Sequence, residues 1–338
     1  MRVLVKEGGQ LEAGLVAHLQ ELGLSASFAG LSEILDNIEA YCTATGPLTA
    51  SSSSSRDESL CVVVSVEDAG AVEALAQVLQ LPGVARRPRV VLLSTLLTWG
   101  GKSYGDAAIV DYRASFASRV PASSAVSAFF CENLLHNLAA VLPPGTIEVA
   151  VVGVGLLYGG GGWDLESLLH DMWEANGGGE IKIRSVKGGS NRVPMLHYRD
   201  LFRAVSELLQ SASLPAFSFL PMTDRGQQTL DDLFVGINRS INGTSATVVY
   251  PTTEQEYVEE LLFLTNASSK ALLWNVDVSF SQIELSRAVS PSASTLSDSF
   301  ESVWREYLDH HALKAVSVVV AGNPKSGKTE LASAVASM

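Results

Sequence analysis

The chain predicts an α/β fold, a doubly wound parallel sheet with helices on both faces. Three observations carry this. Leu60–Val66, Arg89–Leu93 and Ile147–Val152 are short runs rich in Val, Leu and Ala, the pattern of strands buried on both faces rather than one. Between such runs lie segments of helical period, as in Leu11, Leu15, Leu19 and Leu22. The two kinds of segment alternate along the chain, and parallel strands need a helical crossover to return the chain to the same edge.

In order, Val3–Val5 predicts a first strand, and the leucines after it a helix that stops at Gly23. A second helix is expected over Ser32–Tyr41. Residues 43–58 contain Ser51-Ser52-Ser53-Ser54-Ser55, polar low-complexity sequence with too little apolar surface to order itself, and predict a flexible surface insertion. Leu60–Val66 is then a central strand, Asp68–Leu79 a helix, Arg89–Leu93 a strand, Ala125–Val141 a long helix and Ile147–Val152 a strand. Helices are expected over Asp164–Ala175, Asp200–Ser211, Thr229–Ser240 and Glu254–Thr265, with short strands near Ile181–Ile183, Phe217–Leu220 and Leu272–Val278. Asp298, with Glu301 three residues on, is a capping signal for a last helix to Leu308. The division expected is residues 1–265 as one sheet domain, 266–313 as a helical linker, and 314–338 as a separate strand-loop-helix element.

Composition narrows the class. With 47% hydrophobic and 17% charged residues over 338 positions, ordinary globular cores can form. No apolar run approaches the roughly 18–20 residues that span a bilayer, so no membrane partner is expected. A net charge of −13 excludes nucleic acid as a partner, because binding it needs a basic face that releases counterions. The three cysteines, Cys42, Cys61 and Cys131, are odd in number and lie in apolar or helical surroundings, as buried free thiols of an intracellular protein would. His310-His311 predicts a solvated turn rather than a metal site, since adjacent side chains diverge.

Near the end of the chain, Val316–Val320 runs into Gly322-Asn323-Pro324-Lys325-Ser326-Gly327-Lys328-Thr329, a complete G-x-x-x-x-G-K-[ST] phosphate loop. Gly322, Lys325, Ser326, Gly327, Lys328 and Thr329 are the candidate nucleotide-phosphate residues. Backbone N–H groups would converge on the phosphates, Lys328 would reach the β- and γ-phosphates, and the Thr329 hydroxyl would hold Mg²⁺ of an ATP–Mg cofactor. Nine residues follow Thr329, too few for the further strands and the metal-positioning acid of a phosphotransferase. The motif is therefore expected to open a nucleotide-binding domain that these 338 residues do not complete.

The N-terminal strand-turn-helix invites a dinucleotide, but Lys6-Glu7-Gly8-Gly9-Gln10-Leu11-Glu12-Ala13-Gly14 places glycines at all three positions in no register of G-x-G-x-x-G or G-x-x-G-x-x-G. Glu7 and Glu12 put negative charge beside the pyrophosphate site. No Asp or Glu stands in Ser25-Ala26-Ser27-Phe28-Ala29 to hold ribose hydroxyls. The topology is expected to be Rossmann-like, and NAD(P) is not expected as a cofactor.

Later segments carry a resemblance. Leu92-Leu93-Ser94-Thr95-Leu96-Leu97-Thr98-Trp99-Gly100, Gly155-Leu156-Leu157-Tyr158-Gly159-Gly160-Gly161 and Leu196-His197-Tyr198-Arg199-Asp200-Leu201 resemble, in order and spacing, the strand-end Ser/Thr, N-V-Y-G-P-G and V-H-V-x-D-L segments of extended short-chain dehydrogenases. Joined to a terminal phosphate loop, the combination is similar to the ciliary adenylate kinases of the seventh-isoform type. That resemblance implies a degenerate dehydrogenase-like docking module at the start of an adenylate kinase domain, large axonemal assemblies as partners, and a cilium or flagellum as location.

Dehydrogenase chemistry needs a Tyr acidified by a Lys four residues along one helix. Aligning Glu132 with the glutamate of the dehydrogenase helix puts Ser124 and Ala128 at those two positions, and no other Tyr or Lys lies between Ala114 and Arg184 except Tyr158 and Lys182. Ser94 and Thr95 are then expected to bond locally at their strand end rather than to orient a substrate. No catalytic residue and no metal ligand is assigned. The function expected is a non-catalytic Rossmann-like docking module. Two alternatives stay open, an active nucleoside-phosphate kinase in a longer product and an NAD(P)-binding protein.

Overall fold

The structure is a computed structural model that describes residues 1–43, 59–81, 87–100, 109–110, 115–122, 125–159, 165, 169, 183–184, 194–223, 229, 231–232, 235–236, 239, 248–249, 279–280 and 296–312. Its strands are β1 (Arg2–Lys6), β2 (Ser25–Ala29), β3 (Leu60–Ser65), β4 (Arg89–Thr95), β5 (Ile109–Val110), β6 (Glu148–Val154), β7 (Leu156–Tyr158), β8 (Ile183–Arg184), β9 (Met195–His197), β10 (Phe217–Met222), β11 (Val248–Val249) and β12 (Ser279–Phe280). The helices are α1 (Gln10–Glu21), α2 (Leu31–Thr43), α3 (Ala69–Leu79), α4 (Val126–Val141), α5 (Tyr198–Gln210) and α6 (Leu296–Ala312).

Six strands form one sheet in the order β10-β6-β4-β3-β1-β2, with every neighbouring pair parallel. The order reverses at β1, which pairs β2 on one side and β3 on the other. Its crossovers therefore lie on opposite faces, and the strand side chains sort accordingly. Leu4, Val62, Val64, Val90, Leu92, Val149 and Val151 face a core completed by α2, α3 and α4. Val3, Val5, Cys61, Val63, Val91, Leu93, Ala150 and Val152 face a second core closed by α1 and α5. Alternation along one strand puts apolar groups on both faces, so β3, β4 and β6 read as unbroken apolar runs.

β2 is the edge strand that hydrophobicity does not announce. Its small residues Ala26 and Ala29 are buried while Ser25, Ser27 and Phe28 are exposed. Most other elements lie within two or three residues of expectation, with three corrections. α2 runs on through Thr43, so the expected insertion begins a residue later, and the rest of it lies outside the described residues. α6 starts at Leu296, which puts Asp298 inside the first turn and not at the cap. α6 also continues to Ala312, so His310 is an exposed helical residue and not part of a turn. Val303 and Tyr307 of this helix are buried in the first core. The helices expected over Asp164–Ala175, Thr229–Ser240 and Glu254–Thr265, the strand expected at Leu272–Val278, and the phosphate loop at 322–329 fall wholly or largely outside the described residues.

At the amino-terminal edge of the sheet, one guanidinium ties three elements. Arg89 Nε donates to Glu148 Oε2 at 2.7 Å, and its Nη1 donates to the carbonyls of Leu208, Leu209 and Ser211 at 2.8–2.9 Å, covering the C-terminal end of α5. A cation there satisfies carbonyls that the helix cannot and complements its dipole. Where β6 passes into β7, backbone comes close to backbone. A Cβ on Gly155 would lie 2.5 Å from the Pro194 carbonyl oxygen, so only glycine fits. Cys61 and Cys131 are buried free thiols, each pushed by burial to a pKa of about 11, too high for thiolate chemistry at neutral pH.

Candidate functional site

An open sheet that reverses its order leaves a crevice at the carboxyl ends of the strands flanking the reversal, and ligands of doubly wound folds bind there. In this chain that place lies between the ends of β1 and β3. A cavity of about 530 Å³ occupies it, lined by Lys6 to Gly9 and Glu12 on one side and Ser65 and Glu67 to Gly70 on the other. The sequence folds this way locally because Gly8 and Gly9 end β1 and start α1 without side chains. Gly9 is the N-cap residue, and no side chain caps that helix. On the opposite wall Asp68 caps α3, its Oδ1 accepting from the Ala71 N–H at 2.9 Å.

Among the described residues charge in the crevice is lopsided, with four carboxylates (Glu7, Glu12, Glu67, Asp68) against the ammonium of Lys6. Lys6 Nζ lies 3.2 Å from Asp68 Oδ2 and donates to the Glu7 carbonyl at 3.0 Å, so it bridges β1 to the start of α3. The Ala71 N–H holds the Asp68 carboxyl below its usual range, against partial burial, with Lys6 adding to the pull. Glu12, on the first turn of α1, is 8% exposed. Its carboxylate lies flat on Gly8, where a Cβ would come 2.6 Å from Glu12 Cδ.

A second polar cluster lies behind the end of β4. Ser94 Oγ donates to Glu132 Oε1, and Thr98 Oγ1 lies 3.2 Å from the same oxygen. Arg119 Nη2 donates to Glu132 Oε2 at 2.7 Å, with both side chains fully buried. The guanidinium also donates to the Phe116 carbonyl at 2.5 Å and lies over the rings of Phe116 and Phe129. Burial pushes the Glu132 carboxyl above its ordinary range, against the pull of Arg119 and the hydroxyls. Thr95 Oγ1 accepts from Leu97 N–H at 3.2 Å and caps the short 3-10 turn Leu96–Trp99. Thr95 thus bonds locally, as expected, whereas Ser94 departs from the expectation and bonds across to Glu132 on α4. Sequence reasoning missed Arg119. The one signal for it was Glu132, which directly follows the apolar run Phe129-Phe130-Cys131 and, once buried there, demands a cation.

The third segment places His197 as the N-cap of α5. Its Nδ1 accepts from Arg199 N–H at 3.2 Å, and its ring meets Tyr158 edge-on at 5.2 Å and stacks on Tyr198 at 4.9 Å. Gly159, at φ +96°, leaves room for the ring, since a Cβ there would sit 2.6 Å from His197 Nε2. Burial lowers the His197 pKa below 6.5, and Glu306, Asp200 and Arg199 are the charges around it. A cap that must accept a proton donor cannot itself be protonated. The folded state therefore binds fewer protons than the unfolded one, and stability present above pH 6.5 is lost as pH falls through the lowered folded value. Thermal melts should show this decline below pH 6.5, and His197→Asn, which still caps but does not titrate, should flatten it. An unchanged slope in the variant would assign the decline elsewhere.

No family model matches this sequence, and no curated protein is similar to it. Solved structures do match. UDP-glucuronic acid 4-epimerase from Bacillus cereus, in complex with UDP-glucuronic acid and NAD, superposes with a TM-score of 0.59 at 14% identity, over 91% of this chain and 99% of that one. A human epimerase family protein with NADPH gives 0.58 at 15% identity, over 90% and 99%. UDP-glucose 4-epimerase from Thermotoga maritima, with UDP-glucose, gives 0.56 at 14% identity, over 91% and 99%.

The fold is the one these epimerase structures share. At these identities the likeness establishes the Rossmann-like, extended short-chain dehydrogenase type of fold, and it extends over nearly all of each epimerase chain. It also corrects one expectation. The missing glycines of residues 6–14 had made NAD(P) unexpected, yet the epimerase-fold structures include complexes with NAD and NADPH. The physical error lay in treating the fingerprint as the site. The strand-order reversal, the glycine turn at Gly8-Gly9 and the uncapped start of α1 are all present without the full motif.

Those residues fit a dinucleotide in part. The crevice and the acceptors on both its walls suit ribose hydroxyls and an adenosine. The Glu12 carboxylate at the start of α1 does not suit a pyrophosphate. Among the described residues no cluster of His, Cys, Asp and Glu could hold a metal ion, and no helix is long and apolar enough to cross a membrane.

Proposed function

We propose that this chain binds a nicotinamide dinucleotide in the crevice between the carboxyl ends of β1 and β3 and acts as a non-redox binding module. The observation that carries the proposal is the position of the crevice, at the strand-order reversal of an epimerase-type sheet, with the glycine turn and helix start of α1 on one wall. When bound, the nicotinamide would supply hydride chemistry, but the helix that would carry a proton-moving Tyr–Lys pair has neither residue. Ser124 and Ala128 stand where a Tyr and Lys would, and the Ser94 hydroxyl is committed to Glu132. Titration of the full chain with NADH, followed by its fluorescence, should saturate and be reversed by ADP-ribose, with no turnover of UDP-sugars. No saturation up to about 1 mM, a limit of about 4 kcal/mol of binding, would reject the proposal.

The terminal motif Gly322–Thr329 supports a second reading, ATP–Mg held by Lys328 and Thr329 at the opening of an adenylate-kinase-type domain, with docking into an axonemal assembly as the role that goes with it. ATP–Mg titration of the chain and its Lys328→Ala variant tests that reading. Equal affinities, or no binding by either, would remove it.

A further inference from the structure

Resting on the dinucleotide proposal, we infer that Glu12 is the specificity-determining residue of the crevice. It withholds the start of α1 from phosphate and leaves the site to the adenosine-ribose part of a ligand. Two independent observations meet at this residue. The first is the site itself, a crevice at the strand-order reversal whose one wall is a glycine turn leading into an uncapped helix. The amide groups and dipole at such a helix start attract an anion, and in folds of this kind the anion is a pyrophosphate.

The second is the state of the Glu12 side chain. It is more than nine-tenths buried and lines the crevice, yet among the described residues its carboxylate accepts no hydrogen bond and joins no ion pair. A first-turn glutamate ordinarily reaches back to the N-cap N–H. Glu12 instead lies across Gly8, with its Cδ 2.6 Å, its Oε2 2.8 Å and its Oε1 2.9 Å from where a Gly8 Cβ would stand. The negative charge thus fills the space that the glycine leaves open.

The surrounding charges reinforce the effect. Among the described residues Lys6 is the one cation lining the crevice, and it is engaged with Asp68 across it, so a phosphate entering there meets Glu12 and Glu7 with Lys6 already paired. Carboxylates that repel phosphate accept hydrogen bonds from ribose hydroxyls. Glu67 and Asp68 on the opposite wall can take that part, so Glu12 bears on the diphosphate and not on the nucleoside.

The test compares the wild-type chain with Glu12→Gln and with Glu12→Met, the second being a neutral side chain suited to burial should the first fold poorly. Each is titrated calorimetrically with adenosine and with ADP-ribose, at one pH and salt. The expected result is that removing the charge tightens ADP-ribose by about tenfold or more, equivalent to about 1.4 kcal/mol, while adenosine changes by less than about twofold. If ADP-ribose binds the wild type and the variants alike, or if both ligands shift together, Glu12 does not select and the inference is overturned while the dinucleotide proposal stands. If neither ligand binds any of the three proteins, the dinucleotide proposal falls and the inference falls with it.

Discussion

Arg119→Met should destabilise the chain by about 3–5 kcal/mol, seen as a lower urea midpoint at unchanged m-value. The loss is large because the substitution strands a charge. Glu132 is fully buried, and Arg119 supplies its cation at 2.7 Å while also bonding the Phe116 carbonyl. Without the guanidinium, only the Ser94 and Thr98 hydroxyls oppose burial, and the carboxyl is driven further toward the protonated form. Replacing both partners, Arg119→Met with Glu132→Leu, removes the stranded charge and should recover much of the stability. A single variant that loses less than about 1 kcal/mol would show that the pair is not the buried unit the geometry indicates. The result also bears on function. A Ser94 whose partner is a structural carboxylate should not gain catalytic power when that partner is removed.

The second large effect is expected at Trp99. It is fully buried at the end of the 3-10 turn that follows β4, with ring centroids 5.6 Å from Phe219 and 6.5 Å from Phe116, and with the Arg119 guanidinium 5.9 Å from its ring. Trp99→Ala should cost about 3–5 kcal/mol, the loss of apolar burial plus the cavity left behind. Trp99→Phe should cost distinctly less. Because Trp99 and Arg119 share neighbours, the double variant should depart from the sum of the singles by about 0.5 kcal/mol or more. Additivity would separate the aromatic cluster from the ion pair.

How far the sequence spoke can be followed residue by residue. Val62–Val64, Val90–Leu93 and Val149–Val152 were legible as central strands because burial on both faces leaves no polar residue in the run. Ser25–Ala29 was not legible, since this edge strand buries only Ala26 in one core and Ala29 in the other, and two small residues make no apolar run. Helix ends drifted where the cap was unfamiliar. α5 begins at Tyr198 because a histidine caps it, whereas Asp200 had looked like the start. The candidate site was legible only as a defective fingerprint. Glu12 stood out as an unwelcome charge, but nothing in the spacing of residues 6–14 says that its carboxylate lies against Gly8.

By itself, then, the sequence determined the two-faced parallel sheet, the lack of a Tyr–Lys pair on α4 and the acidic character of the first turn, because strand periodicity and residue type are local properties. Tertiary structure alone decided that β1 sits at the reversal of strand order, that Lys6 spans to Asp68, that Arg119 meets Glu132, and that a crevice survives where the glycines are incomplete. Those are pairings between residues far apart along the chain, fixed by which crossovers pack on which face. No local pattern encodes them.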